Sequence, residues 1–306
     1  MFIAVTVVAG CSTERTPEDF FGPSEANTLV VDAVLLVGRP LGEVRLSLTS
    51  NPDAPFQTPG RPVRGAEVFV ESRGQHYRYI EPQGSSGLYQ SVAGVTHLVE
   101  AQTRYELTVI AGEHEAHGVT ITPPPFRVEQ WVLLDENDLS VRRVLKTYRD
   151  VTEADSLWAQ PENQLEYTDG LLEARFARPE VVSFQIGIFS LDDDSPLVID
   201  PDFLSDEDLA QLERVGGSPP LEALDGTLRL PWFAIFFEGA YQIKAYALDE
   251  NWYDLVRSTP ELGGGPGFGG TAGDNFERPL FSIEGGIGVF GSASLDSMQF
   301  YVHPRP

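Results

Sequence analysis

Cysteine is nearly absent from this chain, Cys11 being the only one. A single thiol makes no disulfide framework, so every folded unit must be held by packing alone. Cations are scarce too: 21 Lys and Arg stand against 46 Asp and Glu, a net charge of −25. Lysine is scarcest, represented by Lys146 and Lys244 alone. Phosphate neutralisation needs clustered Lys and Arg, so nucleic acid is excluded as a partner. No stretch approaches the roughly 20 apolar residues that a membrane-spanning helix requires. The sequence also lacks a His-Glu-x-x-His pair, an EF-hand frame and a Gly-x-Ser-x-Gly elbow. It shows no internal repeat of 20–50 residues.

What is present begins with an apolar run from Phe2 to Gly10, ending in Val8-Ala9-Gly10-Cys11. Small or branched apolar residues before a cysteine are what bacterial lipoprotein processing requires. Cleavage before Cys11 leaves its thiol to carry a diacylglycerol, so residues 1–10 read as the remnant of a signal peptide. A secretory signal starts with a basic region. No Lys or Arg precedes Cys11, and that region is expected upstream of Met1. The protein is then anchored to a membrane through its lipid, and residues 11–27, with Pro17, Gly22 and Pro23, form a tether.

From Thr28 the pattern is that of short strands. Val44, Leu46 and Leu48 alternate with Arg45, Ser47 and Thr49, and Tyr105, Leu107 and Val109 alternate with Glu106 and Thr108. This two-residue period marks half-buried strands, and their hairpin spacing predicts a β-sandwich over 28–122. Pro123-Pro124-Pro125 cannot continue a sheet ladder and marks the boundary with a second β-rich domain over 126–306. That domain is expected to carry one or two short helices. One begins at Ser205, whose Ser205-Asp206-Glu207-Asp208 is close to a capping box; the other is capped by Asp249 and carries Trp252, Tyr253, Leu255 and Val256. A glycine-rich loop over 262–275 and a glycine-punctuated Gly285–Gly291 precede a last strand at Met298–Val302. The fold class is therefore mainly β, in two domains.

The lipobox followed by Leu29-Val30-Val31-Asp32-Ala33, then Gly65-Ala66-Glu67-Val68, Gly87-Leu88-Tyr89 and Tyr105–Val109, resembles an uncharacterised lipoprotein family of the Bacteroidota, domain of unknown function 4249. Tyr241–Leu248, Trp252-Tyr253, Arg278-Pro279 and Ile283–Gly291 extend the resemblance over nearly the whole chain. Family members often carry Asn where this chain has Glu284. The resemblance implies an outer-membrane lipoprotein, facing the periplasm or the cell surface and often encoded near TonB-dependent receptors. It implies no catalytic residues. The first domain also resembles the carboxypeptidase-regulatory or transthyretin-like sandwich of the Ig-like class, which is itself non-catalytic.

Candidate chemistry is sparse. His114 and His117 stand three apart at what reads as a hairpin tip. Gly265-Pro266-Gly267-Phe268-Gly269-Gly270 spells GxGxxG, but no helix pattern follows, as a dinucleotide loop would need. The acidic cluster Asp192, Asp193, Asp194, Asp200 and Asp202 is the nearest approach to a set of calcium oxygens, although its spacing matches no EF-hand. Neither metal nor cofactor is expected. Phe268 and Phe276, in and beside the glycine-rich loop, are the expected anchors for a protein partner, since aromatics are enriched at interfaces. The functional expectation is a non-catalytic binding or accessory module working with a TonB-dependent receptor or another envelope protein. The alternative is an envelope hydrolase, glycosidase-like, using acidic residues.

Overall fold

Alternation of apolar and polar residues is realised as strands almost wherever it occurs in the sequence. The computed structural model describes residues 27–50, 60–152, 154–177, 181, 183–199, 212–230, 232, 235–259 and 279–304. In the first half the strands are β1 (Leu29–Leu36), β2 (Val44–Leu48), β3 (Arg61–Pro62), β4 (Glu67–Ser72), β5 (Gln75–Ile80), β6 (Leu88–Ser91), β7 (Arg104–Ala111) and β8 (His114–Ile121). In the second they are β9 (Gln130–Leu134), β10 (Val141–Val144), β11 (Gln164–Glu166), β12 (Leu171–Arg175), β13 (Ser183–Ser190), β14 (Val215–Gly217) and β15 (Leu221–Glu222). There follow β16 (Thr227–Leu230), β17 (Gly239–Leu248), helix α1 (Glu250–Ser258), β18 (Ile283–Glu284) and β19 (Ile287–His303). The protein is mainly β, as its composition predicts.

The first module runs β1-β2-β6-β5-β4-β7-β8 in space, and β18 pairs with β8 at its far edge. Residues Val31, Leu46, Val70, Tyr105 and Leu107 fill its core, and Ile283 and Phe290 complete it from the other end of the chain. Residues 28–122 thus supply most of that core but not all of it. The second module packs the four-stranded sheet β10-β9-β12-β16 against β13-β17-β19, around Trp131, Leu133, Ile186, Ile243 and Phe300.

Both modules hang on β19, 17 residues long. Its first part pairs in parallel with β1, from Val30↔Ile287 to Leu36↔Ala293. Its second part pairs antiparallel with β17, from Leu248↔Ala293 to Gly239↔Val302. The sequence pattern predicts a break between a glycine segment and a final strand; the structure has one continuous strand. The glycines serve close approach, not interruption. Gly288 has φ +113°, and a Cβ there would lie 2.0 Å from the Val31 carbonyl oxygen. Gly285 has φ +76° in the turn before β19, and a Cβ there would meet the Glu115 carbonyl oxygen. That turn directly follows Glu284, which pairs with His117 on β8.

Helix α1 forms as its sequence predicts. The Asp249 side chain accepts from Trp252 N at 2.9 Å, satisfying one of the orphan amides of the first turn. Arg257 lies in the last turn, where a cation complements the helix dipole. The helix expected at Ser205 lies outside the described residues. The histidine pair is not a hairpin tip as a whole. The turn is Gly112-Glu113, and His117 sits within β8 opposite Thr108.

Candidate functional site

The inward face of β19 carries every second residue. It reads Phe290, Ser292, Ser294, Asp296, Met298, Phe300, Val302. Phe290 belongs to the first core and Met298 to Val302 to the second. The Ser-Ser-Asp trio between them is a polar seam at the boundary of the two modules.

Each member of the trio fastens the connecting segment. Ser292 and Thr120 join hydroxyl to hydroxyl at 2.7 Å. Ser294 donates to the Pro124 carbonyl at 2.7 Å, and Asp296 accepts from Val128 N at 2.8 Å. The stretch 120–128, which includes the triple proline, is therefore held along β19 at three points. At one end Asn251 donates to the carbonyls of Val119 and Phe290, at 2.6 and 2.8 Å.

Asp249 lies at the centre of this seam, 8% exposed. Its Oδ2 accepts from the Thr120 hydroxyl at 2.5 Å and its Oδ1 from Trp252 N. With the Thr120 proton given to Asp249, Ser292 is left to donate to Thr120. Burial pushes the carboxyl above its ordinary value, and the hydrogen bonds from Thr120, Ser292 and Trp252 oppose that push. Both oxygens are thus spent on holding the helix and β8 to β19.

Beside Asp249 opens a cleft of about 520 Å³ between the modules. Val119, Ile121, Pro123 and Leu248 supply apolar wall, and Asp249 and Glu250 make one end acidic. Ile121 is 61% exposed, on the face of β8 that carries His117 and Val119 and opposite the buried row Ala116, Gly118 and Thr120. No basic side chain lines the cleft among the described residues. Such a cavity suits an apolar group of a partner, neutral or cationic, and disfavours anions.

The sequence-predicted site residues do not converge here. Cys11, Asp200, Asp202, Phe268 and Phe276 lie outside the described residues. Asp192, Asp193 and Asp194 occupy an exposed loop after β13. Asp192 Oδ2 accepts from Ala240 N at 2.8 Å, so this carboxylate ties the loop to the start of β17. Among the described residues no group of three or more His, Cys, Asp or Glu is placed to hold a metal. His117 is exposed, within reach of Glu115 at 3.1 Å and Thr108 at 3.3 Å. The residues missed by sequence reasoning are Thr120, Ser292, Ser294 and Asp296. Their signal was the two-residue period itself, which turns polar for three positions inside an otherwise apolar strand face.

The family model described as Domain of unknown function (DUF4249) matches residues 16–299. No curated protein matches the chain. Among solved structures, the native conformation of E. coli alpha-2-macroglobulin is similar at 9% identity over 92% of this chain and 25% of that one, with a TM-score of 0.20. The chain spans about a quarter of that protein's length, and a likeness at this score carries no argument.

Proposed function

This chain belongs to the DUF4249 family, and from that premise we propose that it is a non-catalytic binding or accessory module. In this reading it is lipid-anchored to the outer membrane through Cys11 and works with a TonB-dependent receptor. The first module is then an Ig-like or transthyretin-like sandwich, and the inter-module cleft takes an apolar side chain of the partner. Phe268 and Phe276 add contacts whose basis is the sequence alone.

The supporting observation is the fastened seam. Three side chains of β19 hold the connecting segment 120–128, so the cleft has a fixed shape before any partner arrives. Preorganisation of this kind cuts the entropic cost of association. The hydrolase alternative would need a free carboxylic acid in the cleft. Burial raises the pKa of Asp249, but both its oxygens are engaged in structure, which leaves the exposed Glu250 as the cleft's one free carboxylate among the described residues.

The test uses the gene with a complete leader, expressed in a native-like host with a fatty-acid analogue. Wild type should be labelled and Cys11→Ser should not; equal labelling would end the anchor reading. A receptor encoded alongside should co-purify with wild type and be lost with Ile121→Asp. Glycan turnover that vanishes when one carboxylate is replaced would favour the hydrolase instead.

A further inference from the structure

Strand β2 changes partner in mid-course. Val44 and Arg45 pair with β6, whereas Ser47 and Leu48 pair with β3. Between them Leu46 bonds to neither strand proper. Its N–H donates to the Gly87 carbonyl at 2.8 Å, and its carbonyl accepts from Val63 N at 3.0 Å. Gly87 has φ +70°, and a Cβ there would collide with the Leu46 carbonyl oxygen and with Pro62. At this change of partner a cleft of about 490 Å³ opens on the outward face of the first module, opposite its core. It shares no lining residue with the inter-module cleft.

Asp32 of β1 and Arg45 of β2 face each other in the antiparallel register, and both line this cleft with exposed side chains. Residues so placed have Cβ atoms about 4.5–5.5 Å apart, close enough for a cross-strand ion pair. Arg142 meets Asp169 and Arg104 meets Glu106 in contacts of that kind. Among the described residues, neither Asp32 nor Arg45 takes part in one. The two charges still act on each other: partial burial raises the Asp32 carboxyl above its ordinary range, and the Arg45 charge opposes the rise. The wall beside them is fixed. Gly87 N donates to Glu81 Oε1 at 3.0 Å, and Ser86 Oγ accepts from Arg64 Nε at 2.9 Å. A hydroxyl that accepts from one side keeps its own proton to donate. The cleft thus sets an acceptor for a cation beside two donors for an anion, in place before any ligand arrives.

We propose that this cleft binds a free α-amino acid as its zwitterion, the ammonium on Asp32 and the carboxylate on Arg45 and the Ser86 hydroxyl. An α-amino acid carries both charged groups on one carbon, close enough together to meet two side chains that rise from facing positions. Asp32 disfavours a plain anion, and Arg45 disfavours a plain cation. A ligand without net charge is neither drawn in nor repelled by the protein's −25, so the local pair decides binding. Ser47 and Ser85, which also line the cleft, suit a polar side chain. The site does not depend on lipidation or on a receptor.

The test is titration calorimetry of the full chain at neutral pH with L-serine and with L-glutamine, of which at least one should bind. For that amino acid, N-acetylation removes the ammonium and amidation removes the α-carboxylate. Each derivative should bind wild type at least tenfold more weakly, which reads both charges on the unaltered protein. Asp32→Asn and Arg45→Gln, at exposed positions, should each weaken binding at least tenfold while the melting temperature stays close to that of wild type. Ser86→Ala should weaken it severalfold. Absence of binding by both amino acids, undiminished binding of either derivative, or unchanged affinity in Asp32→Asn or Arg45→Gln would overturn the proposal. Phosphoethanolamine, whose opposite charges stand farther apart, is the control. Binding of that compound as tight as the amino acid would leave a general zwitterion site and sink the amino-acid assignment.

Discussion

Two carboxylates are buried among the described residues, Glu173 and Asp249, and they are held in opposite ways. Glu173 on β12 is 2% exposed and receives the guanidinium Nε of Arg175 and of Arg229, each at 2.8 Å. Asp249 at the seam is nearly as buried, yet its partners are the Thr120 hydroxyl and the Trp252 amide, with no cation. Leu172 and Ala174 face the second core, so Glu173 points to the other side of its sheet, where arginines from neighbouring positions reach it. Asp249 lies between two cores, and among the described residues no cation pairs with it. The chain has few cations to place, and at the seam hydroxyls do what arginine does at β12. A carboxylate held only by neutral dipoles in a buried place is easier to protonate than one in water, and burial raises the pKa of Asp249.

The comparison breaks first at Glu173. Glu173→Ala leaves two guanidinium groups facing each other over a void. Breaking a fully buried pair costs about 3–5 kcal/mol; with Arg175 and Arg229 side chains 37% and 51% exposed, about 2–3 kcal/mol is expected after screening. Urea unfolding should show a lower midpoint with an unchanged slope. A loss below about 0.5 kcal/mol would place Glu173 with ordinary surface ion pairs, and the contrast with Asp249 would lose one side.

Much of this was legible in the sequence, and the rest had a physical reason for staying hidden. Alternation at Val44–Leu48 and Tyr105–Val109 located strands, because one face of each is buried and the other solvated. Asp249 could be read as a cap because the signal is local: an acid, then an aromatic-apolar helical stripe. The closure of the first module by Ile283 and Phe290 was not legible, since it joins residues more than 150 positions apart from their partners on β8. Nor was the parallel pairing of β1 with β19, for no hairpin turn announces a parallel neighbour. Gly288 and Gly291 looked like breaks because glycine usually is one. Here a Cβ at Gly291 would come within 3.1 Å of Trp252, so its absence seats the helix on the strand. The seam is the instructive case: Ser292-Ser294-Asp296 stood in view, but nothing local separates polar residues facing a buried junction from polar residues facing water.

The second way to sharpen the comparison is to remove the seam carboxylate. Asp249→Ala takes away the cap of α1 and the acceptor of Thr120. A lost cap costs about 0.5–2 kcal/mol, and the stranded Thr120 hydroxyl can turn to Ser292, so about 1–2 kcal/mol is expected, less than at Glu173. Hydrogen exchange locates the damage: the Trp252 amide should lose protection, while amides of β12 keep theirs. Uniform loss of protection across both modules would mean that the seam is not a local device and that the two cores unfold as one.

The smallest effect is the most diagnostic, because it reads the proton. Asp249→Asn keeps an acceptor for Trp252 N and offers the Thr120 oxygen a donor in place of an acceptor, so the cap survives and the packing barely changes. The native carboxyl of Asp249 titrates above the 3.8 of an ordinary aspartate, burial being the main cause. Between 3.8 and that raised value the native state holds a proton that the unfolded state has released. Stability contributed by this proton is present at low pH and is lost as pH rises through the native pKa. Wild type should therefore gain on Asp249→Asn as pH falls through that window, and the gap between them should be constant above it. All other carboxylates are common to both proteins and cancel in the difference. Urea midpoints of the pair, measured from pH 7 down to pH 4, give the curve directly. A gap that stays flat across this range would show that the hydroxyl and amide donors offset the effect of burial on the Asp249 charge.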